Sequence, residues 1–131
     1  MFLNCHSYHS LRYGTIPLND LVQQAVGYGV KAMALTDVNT VTGIYDFVKE
    51  CKAVNIKPLV GMEFRSLHKL HFIGLAKHKD GIGEMCRLLT KHNFDNTEIP
   101  LFAPDFNNVV VIYPIDNVPL ILKDYEYIGI R

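Results

Sequence analysis

Apolar and polar positions along the chain follow two alternating periods, one typical of strands and one of helices. Short apolar runs, several of them rich in β-branched residues, predict strands. These runs lie at residues 1–5, 30–36, 56–64, 70–76, 109–113 and 127–130. The run 30–36 is apolar except for Lys31, which is typical of a strand buried on both faces, as in parallel sheets.

Helical spacing of apolar residues separates most of these runs. The first helix is expected to begin at a cap formed by Asn19 or Asp20 and to end near Gly29. Further helices are predicted at residues 41–53, after the turn at 79–81, and at 119–123. Between the third helix and the fifth strand, residues 94–106 read as an irregular polar loop.

The order β-α-β-α-β-β-α-β-α-β predicts an α/β fold with mostly parallel strands and helices on the outside. A partial (β/α) barrel fits this order. A complete eight-stranded barrel needs about 200 to 250 residues, and the chain has 131. We therefore expect one domain over residues 1–131, with no internal boundary, taken from a longer parent chain.

Composition narrows the class of protein. The 13 Lys and Arg residues balance 13 Asp and Glu residues, so the chain lacks the basic excess that sequence-independent nucleic-acid binding uses. Three widely spaced cysteines argue against a disulfide framework or a thiolate zinc site. No run approaches the roughly 18 apolar residues of a membrane helix. These features predict a soluble, cytoplasmic protein.

Polar side chains follow several predicted strands at the ends where parallel α/β folds gather functional groups. They are Asn4, His6, Ser7, Thr36, Asp37 and Glu63, and His71 lies near the start of the fourth strand. Histidine and carboxylate side chains that converge in this way could hold divalent metal ions and activate a water molecule.

Structural roles compete with metal binding for three of these residues. Asp37 could cap the following helix, and His71, within an apolar strand, could be a hydrogen-bonded core histidine. Glu63 needs a partner wherever it is buried, because an isolated buried carboxylate is costly.

Four motifs occur in order along the chain, and together they resemble the amino-terminal PHP (polymerase and histidinol phosphatase) domain of bacterial DNA polymerase III alpha subunits. They read CHSxxSLxxG at residues 5–14, ALTD at 34–37, IKPLVGME at 56–63 and LHF at 70–72. The match is strongest over residues 2–93. This resemblance implies a barrel domain that in some members holds a metal cluster and hydrolyses phosphoester bonds, including a mismatched 3′ end.

The resemblance also implies which ligand positions survive. His6, Glu63 and His71 match ligands of the family. Asn4, Tyr13 and Val38 stand where the family has other ligands, Ile115 falls near a further one, and Asp37 lines the same pocket. A side chain such as Val38 offers no donor atom to a metal. A cluster of three ions is therefore not expected, and one weakly held Zn²⁺, Mn²⁺ or Mg²⁺ is the most that these residues would bind.

The favoured hypothesis is a structural PHP segment with a degenerate metal site and no catalytic residues. Its partner is the remainder of the polymerase alpha subunit; DNA is reached only through that parent, and no membrane is involved. The fragment is expected to self-associate through uncovered sheet edges. Two alternatives stay open: an active metal-dependent phosphoesterase or 3′–5′ proofreading exonuclease of the same family, and an unrelated small α/β binding module.

Overall fold

A computed structural model describes residues 1–130, and its contacts group the chain into two compact units, Met1–Met62 and the residues from Glu63 onward. The strands are β1 (Phe2–Cys5), β2 (Ala32–Leu35), β3 (Lys57–Ser66), β4 (Lys69–Ala76), β5 (Val109–Pro114) and β6 (Glu126–Gly129). The helices are α1 (Leu18–Gly27), α2 (Ile44–Ala53) and α3 (Lys79–Asp95). Hydrogen-bonded strand neighbours follow chain order. Arg131, the end of the predicted domain, lies outside the described residues.

In the first unit, parallel pairing joins β1 to β2 and β2 to β3, with Cys5 opposite Leu35 and Leu35 opposite Val60. Helices α1 and α2 cover one face of these strands. The buried core consists of Leu18, Val22, Ala25, Met33, Leu35, Phe47, Cys51 and Ile56. Burial of each large apolar side chain contributes about 1.5–3 kcal/mol, so this cluster holds the first unit together.

Helix α1 begins at Leu18, two residues before the start that a cap at Asn19 would give and three before that of a cap at Asp20, so that prediction is wrong. Pro17 precedes the helix with φ −58°, and no side chain caps it. The fixed φ of proline suits a helix start, and its missing N–H removes a donor that the first turn could not satisfy. The predicted end is confirmed: Gly29 has φ +65° just beyond the helix, a conformation that favours glycine.

In the second unit, β4 is antiparallel to β5, with Gly74 opposite Val111, whereas β5 is parallel to β6. The aromatic rings of Phe64, Phe72 and Tyr113 pack together, with centroids 4.6 Å and 6.2 Å apart. Helix α3 packs against β4 and β5 on this same face. The α/β class is therefore confirmed, with antiparallel as well as parallel pairs.

The short helix predicted at residues 119–123 is absent, and α2 begins at Ile44 rather than at residue 41. Leu120 and Ile121 are exposed, so a helix there would have no apolar face to bury. The Glu126 carboxylate instead accepts the N–H of Lys123 at 3.0 Å, which satisfies the backbone without a helix. Before α2, residues 40–42 form a turn in which Thr40 accepts the N–H of Thr42.

Among residues 1–130, none of the helices has both the length and the apolar character that a bilayer-crossing helix requires.

Candidate functional site

The first unit places several candidate residues where β1 and β2 end. Cys5 and Leu35 pack on the helix-covered core, so strand alternation puts Asn4 and Thr36 on the opposite face. There the Thr36 hydroxyl donates to the Asn4 side-chain oxygen at 2.7 Å. Asn4, at a position where the resemblance implies a ligand, is thus engaged by a hydroxyl group.

Asp37 is the centre of a buried hydrogen-bond network and is only 2% exposed. One carboxylate oxygen accepts the backbone N–H of Ser7 and the hydroxyl of Ser10, and the other accepts the hydroxyl of Ser7, all at 2.7 Å. Ser10 in turn accepts the N–H of Val38 at 2.8 Å. Charge-assisted bonds of this kind offset the cost of burying a carboxylate.

Asp37 therefore does not cap a helix, and that interpretation is wrong. Gly43 occupies the cap position of α2, and the carboxylate is turned toward the loop after β1 instead. The physical reason is the number of donors: this loop offers three hydrogen bonds to Asp37, whereas a helix cap offers one or two.

A tight turn after β1 presents these donors. Ser10 N–H donates to the Ser7 carbonyl, and the Gly14 N–H donates to the Ser10 carbonyl, both at 2.9 Å. A Cβ atom at Gly14 would lie 1.9 Å from the Ser7 carbonyl oxygen, so only glycine permits this approach. The spacing of Ser7, Ser10 and Gly14 in the first motif is explained by this turn.

The remaining candidates of the first unit surround the same turn. His6 is half-buried, and Tyr13 is 37% exposed. Val38 contributes its backbone N–H rather than a side-chain donor.

The two cysteines of this unit have raised pKa values. Burial raises the pKa of the Cys5 thiol. For Cys51, burial is the larger cause and the charge of Glu50 the next, and together they raise its pKa to about 11. Both thiols are therefore protonated near neutral pH, as core cysteines are.

In the second unit, Glu63 is fully buried and forms an ion pair with Arg65, whose Nε donates to the carboxylate. Arg65 also donates through Nη1 to the His68 carbonyl at 2.9 Å. The partner that a buried Glu63 requires is thus an arginine two residues along the same strand.

His71 is 6% exposed, and its Nδ1 lies 3.0 Å from the Pro100 carbonyl oxygen. A carbonyl only accepts, so Nδ1 carries the proton, and in the neutral ring Nε2 carries the lone pair. Asn117 donates to the carbonyls of His71 and Leu101 at 2.8 Å and 3.0 Å. This arrangement fits a hydrogen-bonded core histidine.

Glu63 and His71 lie on the same face of neighbouring strands. Phe64 and Phe72 stack on the face that α3 covers, and side chains alternate along a strand. The residues next to these phenylalanines therefore point to the other face. Glu63 and His71, two of the positions that the resemblance implies as ligands, therefore share a face within the second unit.

A buried pair that the sequence did not reveal joins β5 to β6. The Tyr113 hydroxyl donates to the Glu126 carboxylate at 3.3 Å and accepts the N–H of Ala103 at 3.1 Å. Burial is the main cause that raises the pKa of Tyr113. The sequence carried one signal for this pair: Glu126 stands alone at the edge of an apolar run, and a carboxylate in such a place needs a partner when it is buried.

The donor set does not fit a metal cluster. Within residues 1–130 no group of three or more His, Cys, Asp or Glu side chains is placed to hold a metal ion. Asp37 accepts three internal hydrogen bonds, and Glu63 is paired with Arg65. The guanidinium of Arg65 thus competes with any metal ion for the Glu63 carboxylate.

Comparison with known proteins identifies the family that this chain resembles in sequence. A model of the PHP domain matches residues 3–113. The DNA polymerase III subunit alpha of Staphylococcus aureus strain Mu50 is 30% identical over 118 residues, which cover 86% of this chain and 11% of that protein. The subunit alpha of Chlamydia muridarum is 34% identical over 100 residues, which cover 66% of this chain and 8% of that protein. The chain thus spans about a tenth of the length of these relatives.

Two solved structures share the fold. One, from Bifidobacterium adolescentis, is assigned as a metal-dependent phosphoesterase; it has a TM-score of 0.57 and 21% identity over 71% of this chain and 32% of its own. The other, an amidohydrolase from Chromobacterium violaceum with bound sulfate and no metal, has a TM-score of 0.58 and 18% identity over 72% of this chain and 34% of its own. The resemblance to PHP domains of polymerase III alpha subunits is confirmed.

Proposed function

The chain belongs to the PHP domain family, and we propose on that basis that it is the PHP segment of a bacterial DNA polymerase III alpha subunit, in which it has a structural role. One observation carries this proposal: the buried carboxylates of both units are engaged by internal partners, Asp37 by serines and Glu63 by Arg65. Groups used in this way stabilise the fold and leave little to bind or activate a ligand.

The residues that stand where the resemblance implies other ligands also support a structural role. Asn4 accepts a hydroxyl hydrogen bond from Thr36, and Val38 offers only its backbone N–H. Tyr13 offers a phenol where the resemblance implies a carboxylate ligand. His6, Glu63 and His71 are then vestigial positions, able at most to hold one ion of Zn²⁺, Mn²⁺ or Mg²⁺ weakly.

The parent chain supplies the partners in this proposal. Residues 1–131 form a single PHP domain that packs on the remainder of the alpha subunit, and DNA is bound by that remainder in the bacterial cytoplasm. Isolated from its parent, the segment self-associates through exposed apolar residues such as Leu120 and Ile121. Nucleotide transfer itself belongs to the parent.

A second candidate function is metal-dependent phosphoester hydrolysis, and His71 is the observation that favours it. Its Nδ1 donates to a backbone carbonyl, which is the usual arrangement of a histidine whose Nε2 binds a metal. In that case His71 and Glu63 would hold the ion, which would supply an activated water molecule.

A cleavage assay separates the two functions. The purified chain is incubated with bis(p-nitrophenyl) phosphate in Mn²⁺ or Zn²⁺, beside Glu63→Gln and a metal-only blank. We expect the wild type and the variant to match the blank. Metal-dependent turnover by the wild type that Glu63→Gln abolishes would support the phosphoesterase and overturn the structural role.

The length of the native gene product tests whether this chain is part of a longer alpha subunit. An antibody against the chain, used on a lysate of the source cells, should detect a product several times longer than 131 residues. A product of this length alone would favour an independent small α/β binding module.

A further inference from the structure

The ion pair between Glu63 and Arg65 sits where the family resemblance places a metal ligand. Glu63 is completely buried, and the side chain of Arg65 is 13% exposed. The two residues are separated by one position on β3, so they project from the same face of the strand. The cation beside this carboxylate is thus supplied by the strand itself.

The turn between β3 and β4 holds the guanidinium in place. Arg65 Nη1 donates to the His68 carbonyl while Nε donates to Glu63. Leu67, within the turn, has φ +53°, a left-handed conformation that closes the hairpin tightly. A planar guanidinium fixed at two donors is a pre-organised partner for a carboxylate.

We propose that Arg65 is a built-in cation that takes the place of a metal ion at Glu63. This inference rests on the proposed structural function. A buried carboxylate needs hydrogen-bond donors or a positive charge nearby, and the charge can come from a metal or from a side chain. Arg65 supplies that charge to Glu63, so this buried carboxylate does not need a metal ion, and replacing Arg65 removes the guanidinium from a carboxylate on the same face as His71. Oxygen and imidazole nitrogen donors of this kind bind Zn²⁺ or Mn²⁺.

The test is thermal unfolding of the wild type and of Arg65→Met, each with chelator and with Zn²⁺ or Mn²⁺. Methionine keeps much of the length of arginine without its charge. With chelator, we expect the Tm of Arg65→Met to fall by about 10 °C or more, because breaking a buried pair strands its carboxylate. Metal should raise the Tm of the variant by several degrees and leave that of the wild type unchanged.

Two further variants complete the design. The double variant Glu63→Gln/Arg65→Met removes both charges and should regain part of the lost Tm without responding to metal. Arg87→Met, an exposed arginine on α3, is the matched control and should keep the wild-type Tm. If Arg65→Met does not fold with chelator, its refolding in the presence of metal gives the same readout.

Each outcome has one meaning. A wild-type Tm for Arg65→Met, or a loss of Tm that neither metal reverses, would overturn the inference while leaving the structural function intact. Metal that stabilises the wild type as strongly as the variant would overturn the proposed function as well, because the pocket would then bind metal despite Arg65.

Discussion

Asp37 illustrates how much of the candidate site the identity of single residues can predict. Its motif, ALTD, indicates a pocket residue, but the sequence does not show that Ser7 and Ser10 donate to it from 30 and 27 positions earlier. Such long-range bonds depend on how β1 and β2 pair, which no local pattern encodes. The Glu63–Arg65 pair, by contrast, had a local signal: opposite charges two residues apart on a buried strand.

The Asp37 network predicts a large effect from a small substitution. Asp37→Asn replaces one acceptor oxygen by an NH₂ group, which faces donors rather than acceptors. We expect the free energy of unfolding to fall by about 2–4 kcal/mol, measured by urea denaturation. The exposed Asp116 provides the control, because Asp116→Asn should change it by less than about 0.5 kcal/mol. Equal effects of the two substitutions would show that the network adds no stability.

Glu84 gives a prediction that depends on pH. Its carboxylate accepts the side-chain amide of Asn108 at 2.7 Å and the backbone N–H of Asn107 at 2.9 Å. Burial acts to raise the pKa of Glu84, but these bonds outweigh it, and the pKa lies below its ordinary value of 4.5. A lowered pKa means that the stabilisation is complete above pH 4.5 and disappears as the pH falls through the folded-state pKa.

We therefore expect Glu84→Gln to lower the free energy of unfolding by about 1 kcal/mol at pH 7. The difference from the wild type should shrink steadily in urea titrations below pH 4.5. A difference that stays constant down to acid pH would contradict this role of the carboxylate.

At the scale of elements, the strands were the most predictable part of the fold. Apolar runs such as residues 109–113 became β5 because such runs are stable only when buried. The predicted helix at 119–123 failed, since its apolar residues found no surface to cover and Glu126 satisfied the backbone of Lys123. Helix starts were also displaced, because Pro17 and Gly43, rather than polar caps, precede α1 and α2.

The close approach of α3 to the start of β5 predicts a strong effect at one glycine. A Cβ atom at Gly81 would lie 2.1 Å from the Asn108 carbonyl oxygen, whereas one at Gly27 would meet nothing within 4 Å. Gly81→Ala should therefore lower the free energy of unfolding by more than about 2 kcal/mol. Gly27→Ala, at the end of α1, should leave it unchanged or raise it by up to about 1 kcal/mol. The reverse order in thermal or urea unfolding would refute this packing.

At the scale of the whole molecule, the family could be read from the order of four motifs, and the comparisons confirm it over residues 3–113. The state of the metal site could not be read in the same way. A side chain without a donor atom, such as Val38, is visible in the sequence, but the partners of the buried carboxylates appear only when the chain folds.

The most direct test of the central claim is the metal content of the purified chain. Mass spectrometry would measure bound Zn²⁺ and Mn²⁺ before and after equilibration with each metal, followed by gel filtration to remove weakly held ions. The account predicts only background metal in both samples, because Asp37 and Glu63 already have internal partners. A stoichiometric ion that is lost on His6→Ala or Glu63→Ala would contradict it and favour the phosphoesterase function instead.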